Sequence, residues 1–115
     1  MAITGAHCLI YTPEAGDLRD VFRDVFGFEH VDAGGGWLIF NLPPAEVGVH
    51  PSDGGTHHAL SFMCDDIETT MKELSAKGIE FRGPPADEGF GIATVMNLPG
   101  GVSMQLYQPH HPTAL

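Results

Sequence analysis

Two adjacent histidines, His57 and His58, stand at the start of the apolar stretch "ALSF" and raise the question of a metal site. A neutral imidazole nitrogen is a common ligand for transition metals. Neighbouring residues on a strand point to opposite faces, so at most one of the two side chains enters a given cavity. His7 lies twenty positions before Gly27, and His58 lies twenty positions before Gly78. This equal spacing pairs His58, not His57, with His7.

The same order of elements is predicted twice along the chain. In each half an apolar strand is followed by an amphipathic helix and then by three more strands. The first helix has Asp17 as its predicted N-cap and Gly27 as its stop. The second helix follows Asp65 and Asp66 and stops at Gly78. The apolar stripes are Leu18, Val21, Phe22, Val25 and Phe26 in the first helix and Ile67, Met71 and Leu74 in the second.

Eight strands are predicted from short apolar stretches that glycines and prolines separate. We expect a single domain, 1–115, with one βαβββ unit in residues 5–51 and a second in residues 57–109. The predicted strands are "AHCLIYT", "FEHVDA", "WLIFNL" and "AEVGVH" in the first unit and "HHALSFMC", "IEFRG", "GIATVMNL" and "VSMQLYQP" in the second.

The charge and the cysteines limit the function classes. Five Lys and Arg stand against 15 Asp and Glu, a formal net charge of −10. Such a surface repels nucleic acid and anionic membranes, so neither is expected as a partner. Cys8 and Cys64 do not form a spaced framework and are expected to be reduced thiols. With no basic leader or long apolar stretch in the sequence, we expect a cytoplasmic protein.

The doubled order resembles the vicinal oxygen chelate superfamily, which includes glyoxalase I, bleomycin-resistance proteins and extradiol dioxygenases. The resemblance rests on His7, "FRDVFGFE", "HALSFMCDDI", "AKGIEF" and "LPGGVSMQLYQP", and covers most of the chain. It implies an α+β fold in which two βαβββ modules form a curved mixed sheet shaped like a cup. It says less about function, because the superfamily spans lyases, isomerases, dioxygenases and non-catalytic drug binders.

The resemblance also implies where a metal would lie. In metal-dependent members the ligands come from the first and last strands of each unit, which here implies His7, His58, Gln105 and Glu46. The register of the first unit's last strand leaves Val47 as the alternative to Glu46, and a shift of one residue reverses the face. Two imidazoles with oxygen ligands suit Fe(II), Mn(II), Ni(II) or Zn(II). Such a metal would polarise a carbonyl or stabilise an enediolate. Gln105 stands where such enzymes usually have a carboxylate, so Glu46 would be the only negatively charged ligand of the metal.

Further roles are predicted for residues around the cup, each with a plainer alternative. Glu46 is the candidate catalytic base, or else an exposed edge-strand residue. Tyr107 and Trp37 are candidate cavity residues, or else they pack in the core or at the rim. Phe90 is also a candidate cavity residue, because segment 83–91 has the glycine content of a lid. His7 and His58 are, in the plainer interpretation, polar residues of the cup wall.

Two functions therefore remain open. The first is a metal-dependent lyase, isomerase or dioxygenase acting on a small oxygen-rich substrate. The second is a metal-free pocket that binds or sequesters an aromatic or cationic, antibiotic-like compound, and the acidic charge favours cations. In both cases the ligand is a small molecule. A homodimer is expected, because two half-cups with open strand edges gain by burying them.

Overall fold

The computed structural model describes residues 5–115, so the first four residues of the predicted domain lie outside the described part. The first helix, α1, spans Ala15–Asp20 and continues as a π-helical turn, Val21–Val25. It begins earlier than predicted: its N-cap is Glu14, without a side-chain hydrogen bond, so the prediction of Asp17 as N-cap was wrong. The predicted stop is confirmed, since Gly27 has φ +69°, a conformation that glycine adopts at little cost.

The second helix, α2, spans Ile67–Ala76 and begins and ends as its sequence predicts. The Asp66 carboxylate accepts a hydrogen bond from the backbone N–H of Thr69 at 3.2 Å, which satisfies a donor that the helix leaves free. Gly78, with φ +95°, ends it. In residues 5–115 neither helix is long and apolar enough to cross a membrane.

The strands form one mixed sheet and a separate hairpin. In the first unit, β1 (His30–Asp32) pairs antiparallel with β2 (Leu38–Phe40). In the second unit the sheet order is β3-β7-β6-β4, with β3 parallel to β7 and the other neighbours antiparallel. A short strand, β5, also pairs with β6. The strands of this sheet are Ser61–Met63 (β3), Glu80–Phe81 (β4), Ala86–Asp87 (β5), Gly91–Leu98 (β6) and Val102–Pro109 (β7).

The first unit differs from its prediction at both ends. Residues 6–12 and 45–50 form no strand in the described structure, although both were predicted to. Most of their apolar side chains are exposed instead, including Tyr11 by 87%, Val47 by 89% and Val49 by 97%, while Ile10 packs against the core. A strand needs a neighbouring backbone as its hydrogen-bond partner, and no pairing of these segments occurs within residues 5–115 of one chain. The α+β class, the mixed sheet and the two helices are confirmed.

The core lies between the two helices and the inner strands β6 and β7. Met96 is fully buried at its centre. A cluster of phenylalanines extends this core into the first unit. The ring of Phe22 lies 5.4 Å from that of Phe40 and 6.2 Å from that of Phe62, measured between centroids. Phe62 belongs to β3, so the phenylalanine cluster packs the first unit against the second. The other buried apolar residues of the core are Leu18, Ile67, Ile79, Leu98, Met104 and Leu106.

Candidate functional site

A cavity of about 1170 Å³ lies between the two units, and its walls are mainly apolar. Large apolar clefts with a few polar groups are the usual form of small-molecule sites. Phe26 and Phe28 come from the first unit, and Phe62 comes from the second. The aromatic cluster positions all three, because the Phe26 and Phe62 rings lie 5.4 Å apart and the Phe28 and Phe62 rings 5.6 Å apart. The floor is therefore rigid and aromatic.

Two polar residues of β7, Gln105 and Tyr107, point into this cavity. They alternate with Leu106 along the strand, and their backbones are held in register by β3 on one side and β6 on the other. Gln105 Nε2 donates a hydrogen bond to Ser61 Oγ at 3.3 Å. Burial and the negative charge of Glu46 raise the pKa of Tyr107, so the phenol keeps its proton.

Phe90 and Glu46 also line the cavity, and we call the part of its wall formed by Glu46, Tyr107 and His111 its polar end. The Phe90 ring meets the Tyr107 ring edge-on at 5.4 Å and 74°, a favourable arrangement for two aromatic rings. Segment 83–91 contains β5, which pairs with β6, so the segment predicted as a lid is anchored to the sheet there. Glu46 is half-buried and lines the cavity with Gly48, while Val47 does not. Of the two registers left open by the sequence, this arrangement places Glu46 at the cavity.

The C-terminal tail, residues 110–115, forms part of the wall, which the sequence did not suggest. His111, Thr113 and Leu115 line the cavity. His111 Nε2 lies 3.0 Å from the Tyr107 hydroxyl, and the backbone N–H of Ala114 donates to Glu46 Oε1 at 2.7 Å. No local sequence pattern predicts these contacts, because the tail has no apolar periodicity and its partner Glu46 lies far away in sequence.

Cys64 also lines the cavity, at the end of β3. Its thiol donates to the backbone carbonyl of Tyr107, with the sulfur 3.7 Å from the oxygen. Burial raises the pKa of this thiol, and the charges of Asp65 and Asp66 act in the same direction. The low thiolate fraction makes Cys64 a poor nucleophile.

Three of the predicted site residues lie away from the cavity. His7 and His58 are exposed and do not line it. Trp37 is 58% exposed, with the Arg19 guanidinium 5.7 Å from its ring centroid. The predicted metal ligands are thus divided: Glu46 and Gln105 line the cavity, and the two histidines lie elsewhere.

The donor groups do not fit a metal within one chain. Among residues 5–115, no three His, Cys, Asp or Glu side chains lie close enough to hold an ion. The histidine that does line the cavity, His111, has both ring nitrogens within hydrogen-bond distance of other groups, Tyr107 Oη and the Pro112 carbonyl. We therefore derive no catalytic step through a metal.

Most of the sequence matches one known protein family. The model of the Glyoxalase/Bleomycin resistance protein/Dioxygenase superfamily matches residues 5–106. The chain belongs to this superfamily. The resemblance drawn from its motifs is thereby confirmed. No curated protein matches the chain in sequence.

Several solved structures share the fold. TnmS3, an antibiotic binding protein from Streptomyces sp. CB03234, is 22% identical with a TM-score of 0.67, over 95% of this chain and 98% of that one. A superfamily member from Sphaerobacter thermophilus is 22% identical with a TM-score of 0.64, over 94% and 99%. Lactoylglutathione lyase from Agrobacterium tumefaciens is 16% identical with a TM-score of 0.65, over 94% and 96%. At these identities the likeness concerns the fold alone.

Proposed function

We propose that this superfamily member binds small apolar molecules with aromatic rings, without needing a metal. The observation that carries the proposal is the cavity itself, whose floor is made by Phe26, Phe28 and Phe62. Rigid aromatic walls bury flat apolar ligands at low entropic cost. The antibiotic-binding relative TnmS3, which has the same fold, supports a binding role for this architecture. An antibiotic-like compound is therefore the kind of ligand that we expect.

The charge of the cavity restricts its ligands to neutral or cationic compounds. Among the described residues, the lining contains the carboxylates Glu46 and Asp65 and no Lys or Arg. An anion entering this site would lose its hydration without gaining a cationic partner. A glutathione adduct, with its carboxylates, is accordingly a poor candidate, despite the fold shared with lactoylglutathione lyase.

The metal-dependent lyase, isomerase or dioxygenase activity stays a prediction of the sequence. It depends on His7 and His58 acting together with Gln105 and Glu46. The contacts within one chain lend it no support, since both histidines are exposed and separate from the cavity. The metal-free binding function needs no residue beyond those that line the cavity, and we prefer it for that reason.

We also propose that the protein is a homodimer. The support is the exposed apolar surface of the two unpaired segments, 6–12 and 45–50, which carry Tyr11, Val47 and Val49. Large apolar side chains exposed on unpaired segments are typical of surfaces that pair with another chain. Because Glu46 and Gly48 of the second segment line the cavity, pairing of this segment would also hold that wall in place.

The test of the binding function is calorimetric titration of chelator-treated protein with 1-pyrenemethanol, a neutral planar aromatic. At roughly −0.3 kcal/mol per non-hydrogen atom, a ligand of this size should bind with a Kd on the order of 100 μM. Phe90→Ala, which removes a cavity ring, should weaken binding. Trp37→Ala removes an aromatic residue away from the cavity and serves as the matched control. Absence of binding, or binding that requires an added divalent metal, would refute the proposal.

A further inference from the structure

The polar end of the cavity contains a hydrogen-bonded pair, Tyr107 and His111, whose proton positions follow from their partners. His111 Nδ1 lies 2.8 Å from the carbonyl oxygen of Pro112. A carbonyl only accepts hydrogen bonds, so in the neutral imidazole Nδ1 carries the proton. Nε2 is then an acceptor, and it lies 3.0 Å from the Tyr107 hydroxyl. Tyr107 therefore donates its only proton to His111, and its oxygen retains lone pairs for another donor.

The tail is held in a position that maintains this pair. The backbone N–H of His110 donates to the carbonyl of Phe90 at 2.8 Å, which fixes the start of the tail beside the aromatic ring. The backbone N–H of Ala114 donates to one oxygen of Glu46 at 2.7 Å, which fixes its end. The imidazole of His111 lies between these two anchors.

Glu46 adds a second acceptor to the wall, because the tail that brings His111 to the Tyr107 hydroxyl also brings the backbone N–H of Ala114 to Glu46. Its negative charge is near enough to contribute to the raised pKa of Tyr107. A carboxylate has about four lone-pair sites, so the hydrogen bond from Ala114 leaves acceptor capacity on the group. The Phe90 ring packs edge-on against the Tyr107 ring and lines the same cavity. The same corner thus presents an anionic oxygen, a phenolic oxygen and aromatic carbon.

We infer that this corner, formed by Glu46, Tyr107 and Phe90, is a subsite for a hydrogen-bond donor, a hydroxyl or a protonated amine, carried on the ligand's aromatic skeleton. The inference rests on the proposed binding function and adds the functional group that the ligand must carry. A donor finds two acceptors there, and an ammonium also finds a negative charge and an aromatic face. An ether at that position would leave the Tyr107 oxygen desolvated without a partner.

Four probes with the same pyrene ring test the subsite by fluorescence titration. They are 1-pyrenemethylammonium, 1-pyrenemethanol, the methyl ether of that alcohol, and 1-pyrenecarboxylate. We expect the alcohol to bind about tenfold more tightly than the ether, which corresponds to one hydrogen bond at 1.4 kcal/mol per factor of ten. The ammonium should bind more tightly than the alcohol, and the carboxylate most weakly.

Two conservative variants assign the effect to individual groups. Tyr107→Phe should reduce the preference for alcohol over ether, because only Glu46 then accepts from the hydroxyl, and Glu46→Gln should abolish the additional preference for the ammonium. Tyr11→Phe, at an 87% exposed tyrosine, and Glu68→Gln, at an exposed position on α2, are the matched controls and should change neither ratio.

The outcomes separate the subsite from the function on which it rests. If the ammonium, the alcohol and the ether bind equally well to the wild-type protein and the carboxylate binds most weakly, the cavity function stands and the donor subsite is overturned. The same holds if Tyr107→Phe keeps the full preference for the alcohol. If no probe binds, the proposed function itself fails, and the subsite fails with it.

Discussion

Truncation of Phe22 should cost more stability than any other aromatic truncation near the cavity. The Phe22 ring is 8% exposed and lies within 5.4–6.2 Å of four other phenylalanine rings. Removing a buried phenylalanine side chain typically costs 3–5 kcal/mol, and lost aromatic pairs lie within that range rather than adding to it. We expect about 4 kcal/mol for Phe22→Ala, a large part of a typical domain stability of 5–15 kcal/mol.

Urea denaturation at fixed protein concentration measures this loss. With a slope of about 2 kcal/mol per M, the unfolding midpoint should fall by about 2 M. Phe22→Leu keeps most of the volume and should cost less than half as much, which keeps the test open if the alanine variant fails to fold. Phe90→Ala is the matched aromatic control: its ring is 43% exposed and packs on Tyr107, so we expect about 1 kcal/mol.

A loss below about 1 kcal/mol for Phe22→Ala, or one no greater than that of Phe90→Ala, would refute the reasoning. Either result would mean that the phenylalanine cluster does not join the two units. The aromatic floor of the cavity would then not be the rigid surface on which the binding proposal depends.

Three further predictions follow from the structure. The wild-type protein should scatter light as a particle of twice the 12.3 kDa chain mass, and Val49→Lys, at a 97% exposed position, should give the single chain mass; a wild-type monomer at micromolar concentration would contradict the dimer. Gly100→Ala should destabilise the fold by about 1–3 kcal/mol more than Gly101→Ala in urea denaturation. Both glycines have positive φ, but only at Gly100 would a Cβ collide with the Thr12 hydroxyl, so equal losses would exclude that close contact. Iodoacetamide should alkylate Cys64 more slowly in the folded protein than in urea, with a rate midpoint at higher pH, as followed by site-resolved mass spectrometry. Folding raises the pKa of the Cys64 thiol, so the thiol contributes stability to the folded protein below its unfolded pKa, and this contribution is lost as pH rises through the folded pKa. Equal rate midpoints in the folded and the urea-unfolded protein would contradict the raised pKa.

The parts of the fold that depend on local rules could be predicted from the sequence. The stop of α1 follows from an apolar stripe that ends at a glycine, and Gly27 adopts the expected positive φ. The start of α2 follows from the carboxylate of Asp66, which caps it. The last two strands, β6 and β7, follow from long apolar stretches joined by "PGG". In each case the deciding interactions lie within a few residues.

The cavity depended on contacts that no local rule specifies. Gln105 and Tyr107 could be assigned to one face of the last strand by alternation, and both line the cavity. His111 could not, because its role comes from the Tyr107 hydroxyl and from the path of the tail after Pro109. The equal spacing indicates only that His7 and His58 occupy equivalent positions in the two units. Equivalent positions need not lie close together in the fold, and neither histidine lines the cavity.

Segment 45–50 shows what a two-residue alternation can and cannot predict. Glu46 and Gly48 line the cavity while Val47 and Val49 are exposed, but Ala45 lines it too, so the segment keeps only part of the alternation of a strand. The sequence left the face of Glu46 open between two registers, and the structure places Glu46 at the cavity, while the predicted strand pairing does not form within residues 5–115 of one chain. Alternation records which side of a segment is apolar, whereas pairing requires a second backbone that the segment itself does not encode. Two valines exposed by about nine-tenths are costly in water, which is the reason for proposing that a second copy of the chain covers them.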